Sequence, residues 1–242
     1  MNEICALVAA AGRGNRAGLT YPKTLFKLKG KPILLRIIDL LAPYDVSPTV
    51  IVSPEGEGPI RECLAAEHYA AHLVLQPVAN GMGDAVLSFE HSPAYAKAQH
   101  ILLIWGDIPF IQPKTVAAIV ERHLEHGNDF TFATRPVDAA YTVVSRDMAG
   151  RVTGVVETRE AGISDPQQGE RDIGLFVFRK QIVFPALRKE LPCKWGANTG
   201  EHGFLYIIGH LAARGYQIEA LPVATEMDLV SLNSMSDVCD FL

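Results

Sequence analysis

The sequence predicts a layered α/β fold with a mixed, mostly parallel sheet and helices on both of its faces. Short apolar runs alternate with amphipathic stretches through residues 1–134, and this alternation is typical of βαβ units with right-handed crossovers. The run from Ile4 to Ala9 is apolar at successive positions, as in a strand that is covered on both faces. These two observations fix the expected fold class.

The individual elements follow from the same patterns, taken in chain order. Helices are expected where apolar residues recur every three or four positions, and Pro32 suits the first turn of the earliest one. Strands are expected at Ile4 to Ala9, Thr49 to Val52, Leu73 to Gln76, Ile101 to Trp105, Phe130 to Thr134, Tyr141 to Ser145, Val152 to Glu157, Ile173 to Phe178 and Ile218 to Pro222. Helices are expected at Pro32 to Leu41, Ile60 to Ala71, Gly83 to Phe89, Val116 to His126, Val183 to Lys189 and Phe204 to Arg214.

The second half of the chain is less regular, and we expect it to form an elaborated lobe on the same sheet. A polar segment, 161–171, separates two of its strands and could be either an ordered wall or a closing lid. No repeat and no long linker interrupts the chain, so residues 1–242 are expected to form a single domain with halves 1–134 and 135–242. Glu55 to Gly58 is expected to be a surface loop, and His123 and His126 to lie on an exposed helix face.

Composition and charge exclude several classes of protein. The formal net charge is −5 and no basic run is long, which argues against a nucleic-acid surface. No apolar stretch approaches the length of a membrane span, and the acidic start of the chain is unlike a signal peptide. The four cysteines show no paired spacing, so a cytoplasmic protein with reduced thiols is expected.

A glycine-rich turn follows the first strand and is the first candidate site. It reads Ala9-Ala10-Ala11-Gly12-Arg13-Gly14-Asn15-Arg16, with Pro22-Lys23 shortly after it. Glycine allows backbone amides to approach an anion closely, and Arg16 and Lys23 would add positive charge for phosphates. The alternative interpretation is an ordinary turn with solvated cations, although ligands usually bind at this end of an α/β sheet.

A second candidate is Asp107, which comes directly after the buried strand Ile101 to Trp105. An acid there would lie at the same sheet edge as the glycine-rich turn. Mg²⁺ is commonly held by one or two protein oxygens together with phosphate oxygens and water, so Asp107 could be one ligand. The alternative role for such a residue is a turn former or a helix cap.

Further motifs extend this pattern over nearly the whole chain. In order they are Ala10 to Arg16, Pro22-Lys23, Gly30-Lys31-Pro32, Val74-Leu75-Gln76, Gly81-Met82-Gly83-Asp84-Ala85, Gly106-Asp107-Ile108-Pro109, Gly150 to Glu157, Gly174 to Phe178, Gly200-Glu201 and Asn233. Together they resemble the sugar-1-phosphate nucleotidyltransferase family, and most closely the uridylyltransferase domain of the bacterial N-acetylglucosamine-1-phosphate uridylyltransferases. The hexapeptide repeats of the acetyltransferase half of those enzymes are not present in the chain.

The resemblance implies a Rossmann-like nucleotide-binding fold and a role for each matched residue. Mg²⁺ would be held by Asp107 and Asn233, while Arg16 and Lys23 would contact the phosphates. The resemblance further implies nucleotide contacts from Ala10, Ala11, Gly12, Arg13, Gly14, Gln76, Gly81 and Met82. The acceptor would be contacted by Thr142, Glu157 and Asp172.

Three of these positions depart from the family pattern. Met82 stands where the family has a base-contacting Thr, which weakens the case for uracil. Thr142 replaces a Gly close to the sugar, and Asp172 replaces an Asn that contacts it. Because the departures fall on residues that would contact the substrates and not on the catalytic residues, the reaction type is better supported than the identity of either substrate.

The resulting hypothesis is a Mg²⁺-dependent nucleotidyltransferase that moves a nucleoside monophosphate from a nucleoside triphosphate to a sugar 1-phosphate. The expected triphosphate is UTP. One alternative is a cytidylyltransferase or related enzyme acting on a non-sugar phosphate, such as an amino-alcohol phosphate. Another is a non-catalytic nucleotide-sugar-binding or regulatory protein. The expected partners are a nucleoside triphosphate and a phosphorylated small-molecule acceptor, with neither nucleic acid nor membrane, and a homo-oligomer is left open.

Overall fold

The structure is a computed structural model, and it describes residues 3–12, 18–163, 165 and 167–241. Its strands are β1 (Ile4–Ala9), β2 (Lys27–Leu28), β3 (Lys31–Pro32), β4 (Thr49–Val52), β5 (His72–Leu75), β6 (His100–Trp105), β7 (Phe130–Ala140), β8 (Thr142–Arg146), β9 (Val152–Glu157), β10 (Gln167–Arg179) and β11 (Ile218–Leu221). Its α-helices are α1 (Ile33–Leu41), α2 (Pro54–Ala66), α3 (Met82–Ser88), α4 (Pro113–Glu125), α5 (Lys180–Arg188) and α6 (Tyr206–Ala212).

Strands from both halves of the chain pair in one sheet, whose order in the described residues is β11-β7-β10-β6-β1-β4-β5. Strands β6, β1, β4 and β5 pair in parallel, and so do β11 and β7. Strand β10 runs antiparallel to both of its neighbours, β6 and β7. The sheet is therefore mixed and mostly parallel, which confirms the predicted fold class.

The two faces of the sheet are covered by different helices. Alternate residues of β1 point to opposite sides, so that Val8 belongs to one apolar core and Leu7 to the other. Helices α1, α2 and α4 pack on the first face and α3, α5 and α6 on the second. This arrangement explains why β1 and β6 are apolar at nearly every position.

The largest departure from the sequence prediction in the first half is at the start of a helix. Helix α2 begins at Pro54 instead of Ile60, because the Ser53 hydroxyl accepts a hydrogen bond from the Gly56 amide at 3.1 Å and caps the helix. The prediction of a surface loop at Glu55 to Gly58 was therefore wrong. The short β2–β3 hairpin was not predicted at all.

The second half forms the elaborated lobe. Strands β7 and β10 extend beyond their predicted ends, and β10 begins at Gln167, so part of the polar segment 161–171 is a strand. The β8–β9 hairpin packs on α6, where a Cβ atom on Gly154 would lie 3.5 Å from the Cα of Gly209. This packing fixes β9, whose last residue is Glu157.

Among the helices that the structure describes, none combines the length with the apolar character needed to cross a bilayer.

Candidate active site

A cavity of about 750 Å³ opens at the carboxyl ends of β1, β5 and β6. Parallel strands bring the residues that follow them to the same sheet edge, which is where ligands of α/β proteins usually bind. Ten of the predicted site residues line it: Ala10, Ala11, Gly12, Lys23, Gln76, Gly81, Met82, Asp107, Glu157 and Asn233. Three others, Arg13, Gly14 and Arg16, lie outside the described residues.

The centre of the cavity is an ion pair between Lys23 and Asp107. The Lys23 ammonium donates to the Asp107 Oδ2 atom, and the two side chains are only 19% and 15% exposed. Gly12 lies directly beneath the lysine, because a Cβ atom there would come within 3.1 Å of the Lys23 Cε atom. The glycine therefore leaves room for the lysine to reach the acid that the next strand presents.

Asn233 is brought to the same place by the chain's C-terminal segment. The Leu232 amide donates to the Asp107 carbonyl at 2.9 Å, which sets the next residue beside the acid. A carboxylate and a side-chain amide oxygen are hard donors of the kind that Mg²⁺ prefers, and two protein ligands leave room for phosphate oxygens and water. The donors present at this point therefore fit the predicted magnesium site.

The predicted base-binding residues form a braced corner of the cavity. The Gln76 side-chain amide is nearly fully buried and donates to the Gly81 carbonyl and to Asp84 Oδ2, both at 3.0 Å. The side-chain nitrogen of Gln76 thus holds the loop before α3 in place. The side-chain oxygen of Gln76 is left for a ligand. Gly81 adopts a positive φ of 106°, and Met82 lines the cavity at the start of α3.

A wall closes the cavity opposite the sheet, and we call segment 193–206 the cover segment. It is tied to α3 by the Gly83 amide, which donates to the His202 carbonyl at 2.9 Å. The approach is so close that a Cβ atom on Gly83 would fall 2.4 Å from the Gly203 carbonyl oxygen. Within the segment, the Gly203 amide donates to the Lys194 carbonyl at 2.9 Å. Gly81 and Gly83 were the available sequence signal, since two glycines at a helix start indicate close backbone approach.

The three predicted acceptor residues are only partly brought to the cavity. Glu157 lines it, whereas Thr142 and Asp172 do not. Instead, the Thr142 hydroxyl donates to Asp172 Oδ1, and the Gly174 amide donates to Asp172 Oδ2 at 3.1 Å. Thr142 and Asp172, which both depart from the family pattern, therefore form a hydrogen-bonded pair, because the hydroxyl of the first donates to the carboxylate of the second. Direct contact of Thr142 or Asp172 with an acceptor stays a prediction, and the position of these residues outside the cavity lining does not support it.

Burial shapes the electrostatics of this end of the cavity. It raises the pKa of Glu157, and the nearby carboxylates of Asp172 and Glu160 raise it further. Burial also raises the pKa of Asp172 against the lowering effect of its hydrogen bond from Thr142. Removing charge from water costs free energy unless a partner compensates for it, so a ligand that supplies a partner should bind here.

Several residues that line this cavity have a polar side-chain atom without a hydrogen-bond partner within the described residues. These atoms are all buried: Thr24 Oγ1, Trp105 Nε1, His202 Nε2 and the Tyr206 hydroxyl. Such atoms are rare in folded proteins and their desolvation is costly. Sequence reasoning did not select these four residues, although Trp105 immediately precedes the Gly106-Asp107 motif.

Comparisons with known proteins give the family and the fold of the chain. The family model "MobA-like NTP transferase domain" matches residues 6–173. The chain is 27% identical over 237 residues to the bifunctional protein GlmU of Heliobacterium modesticaldum, which covers 97% of this chain and 50% of that protein. The chain thus spans about half the length of the curated relatives it matches.

Two solved structures share the fold at low sequence identity. A UDP-glucose pyrophosphorylase complexed with UDP-glucose is 16% identical with a TM-score of 0.70, covering 95% of this chain and 96% of that one. The inositol-1-phosphate CTP transferase from T. maritima is 16% identical with a TM-score of 0.68, covering 90% and 84%. At these identities the likeness shows the fold and nothing finer.

Proposed function

This chain belongs to the MobA-like NTP transferase domain family, which confirms the predicted enzyme class, and we propose that it transfers a nucleoside monophosphate from a nucleoside triphosphate to a phosphorylated small molecule. The proposed donor is UTP, the proposed acceptor is a sugar 1-phosphate, and the by-product is pyrophosphate. The observation that carries the proposal is the meeting of Lys23, Asp107 and Asn233 in one cavity at the carboxyl edge of the sheet. We treat residues 1–242 as one transferase domain that acts in the cytoplasm.

The acceptor phosphate would attack the α-phosphorus of the nucleotide directly. A new P–O bond forms there while the bond between the α-phosphorus and the bridging oxygen breaks, and pyrophosphate leaves with that electron pair. A phosphate oxygen is anionic at neutral pH, so no side chain has to remove a proton from it. The protein then contributes mainly positioning and neutralisation of charge.

Lys23 would stabilise charge at the α-phosphate. Its ammonium lies over Gly12 and is held by Asp107, so it is oriented before a substrate arrives. Asp107 and Asn233 would hold Mg²⁺, which would offset the repulsion between the two anionic substrates. The backbone at Ala10 to Gly12 lines the cavity next to the lysine and offers the triphosphate a surface without bulky side chains.

The proposal is tested by pyrophosphate release in variants of the central pair. Lys23→Ala and Asp107→Asn should each lower the rate at least about 100-fold, which corresponds to about 3 kcal/mol for one preorganised charge contact. Lys27→Ala is the matched control, because Lys27 is exposed, does not line the cavity and should keep the normal rate. Near-normal turnover in either cavity variant would remove that residue from the mechanism.

The donor base and the acceptor class are decided by a second experiment. Thermal unfolding is followed with UTP, CTP, ATP, GTP and dTTP, each with and without Mg²⁺. A Mg²⁺-dependent rise in the melting temperature with a single triphosphate identifies the donor. Stabilisation without any turnover across a broad panel of acceptors would instead favour the non-catalytic binding protein.

A further inference from the structure

The acceptor end of the cavity contains a carboxylate that the protein itself does not neutralise. Glu157 lies at the end of β9 and lines the cavity, and it is partly buried. Within the described residues its carboxylate receives neither a hydrogen bond nor an ion pair. The nearest cation, Arg159, lies two residues on and is exposed, and its guanidinium is paired with Glu160 at 3.5 Å. Glu157 is therefore available to a ligand.

The surroundings of Glu157 are negative rather than positive. Asp172, Glu160 and Glu201 all act on it as like charges, against the single opposing effect of Arg159. The one imidazole in this part of the wall, His202, adds little positive charge, because burial lowers its pKa. A neutral acceptor group would leave this excess of negative charge uncompensated.

Aromatic side chains complete the enclosure around this end. Trp105, Trp195 and Tyr206 line the same cavity, and the rings of Trp195 and His202 lie 5.1 Å apart. Trp195 is 47% exposed although it is large and apolar, so packing in the core does not explain its position. The faces of Trp and Tyr rings attract cations, and aromatic walls with a carboxylate are the usual way in which proteins recognise ammonium groups.

An independent observation indicates that a polar ligand belongs here. His202 is only 3% exposed and its Nε2 atom has no partner within the described residues. The Tyr206 hydroxyl and the Trp105 Nε1 atom are likewise buried without partners. All three residues line the cavity, and none of the described residues satisfies these atoms.

We propose that the phosphorylated acceptor carries a positively charged amine, which Glu157 binds between the aromatic side chains of Trp105, Trp195 and Tyr206. This inference rests on the proposed transferase function and names its acceptor class. The shared chemistry is a phosphate at one end and an ammonium group at the other. An amino sugar 1-phosphate and an amino-alcohol phosphate both have it, and the experiment separates them.

The test uses acceptor pairs that differ in charge and little in shape. Phosphocholine is paired with 3,3-dimethylbutyl phosphate, phosphoethanolamine with propyl phosphate, and glucosamine 1-phosphate with glucose 1-phosphate. Pyrophosphate release with the identified triphosphate gives kcat/KM for each. We expect the cationic member of at least one pair to be preferred about tenfold or more, as for a charge-assisted contact over a neutral one. The pair that shows this preference tells whether the acceptor is an amino sugar 1-phosphate or an amino-alcohol phosphate.

Glu157→Gln keeps the shape of the side chain and removes its charge. It should abolish the preference within the responding pair, so that the kcat/KM values of the cationic and neutral members fall within about twofold of each other. Glu125→Gln is the matched control, since Glu125 is exposed on α4 and does not line the cavity. If Glu157→Gln does not fold, the comparison of pairs on the unaltered protein still decides the question.

Turnover of neutral acceptors as fast as, or faster than, their cationic partners would overturn the inference and leave the transferase function standing. If no acceptor is turned over, the transferase function fails, and equilibrium binding of the same pairs by calorimetry decides the inference separately. Tighter binding of cationic members would support it. Equal binding, or no binding of any member, would overturn it.

Discussion

Lowering the pH from 7 to 5 should destabilise the protein through two histidines that lie outside the cavity. His123 is fully buried, and its Nε2 atom shares a hydrogen bond of 2.9 Å with His100 Nδ1. Its other nitrogen shares one of 3.0 Å with the Thr131 hydroxyl. A neutral imidazole has one donor and one acceptor nitrogen and fits this chain, whereas a protonated one has two donors. The expectation of an exposed helix face for His123 was wrong.

The size of the effect follows from the pKa of His123. Burial, together with His100 and Arg179, lowers that pKa from 6.5 to about 3 in the folded protein. The unfolded chain therefore takes up a proton as the pH falls below 6.5 and the folded protein does not. Stability is complete above that pH and is lost below it. Between pH 7 and pH 5 this linkage amounts to about 2 kcal/mol. For a chain of this size it corresponds to a fall of about 4–8 °C in Tm.

Chemical unfolding at the two pH values measures this directly. His123→Gln keeps a donor and an acceptor but cannot titrate, so the variant should lose about 2 kcal/mol less between pH 7 and pH 5 than the unaltered protein. His91→Gln is the control, because His91 is exposed and should leave the pH dependence unchanged. An equal loss in the unaltered protein and in His123→Gln would refute the reasoning, since carboxylates would then account for all of it.

Two further predictions concern the supports of the cavity. Gly83→Ala should cost at least about 2 kcal/mol of unfolding free energy, because the added Cβ would meet the Gly203 carbonyl. Gly58→Ala, at an open helical position, should cost nothing by the same thermal unfolding assay. Asp228→Ala should cost about 3 kcal/mol, because this buried carboxylate accepts hydrogen bonds from the amides of Gln112 and Thr225. Asp228→Asn should cost less, and equal losses in both would contradict the assigned role.

Much of the fold could be predicted because its strands are covered on both faces. The bounds expected for Ile4 to Ala9 and Thr49 to Val52 are those observed. Helix α2 was misjudged because its first turn contains proline and two glycines and has no apolar periodicity. The cap at Ser53 and the proline at the first helical position outweigh those weak propensities.

The candidate site was predictable only where it follows directly from strand order. Gly12 and Asp107 come after neighbouring parallel strands, so their meeting in space follows from the fold class. The contact between the cover segment and Gly83 could not be predicted, because it joins residues far apart in sequence through backbone atoms alone. Such contacts leave little trace in residue type beyond the glycines that permit them.

The two sides of the cavity are built by different means, and this bears on how substrate choice can change. Residues on the nucleotide side, such as Gly12 and Asp107, follow strands whose pairing is fixed by the central sheet. The acceptor side depends on the end of β9 and on the cover segment, which packs into the core through Phe204 and Leu205 and is joined to its neighbours by backbone and side-chain hydrogen bonds. Substitutions there, such as the linked pair Thr142 and Asp172, can be accommodated locally because each compensates for the other. A change of acceptor therefore need not disturb Lys23 and Asp107, which is why the reaction type can be inferred with less information than the substrate.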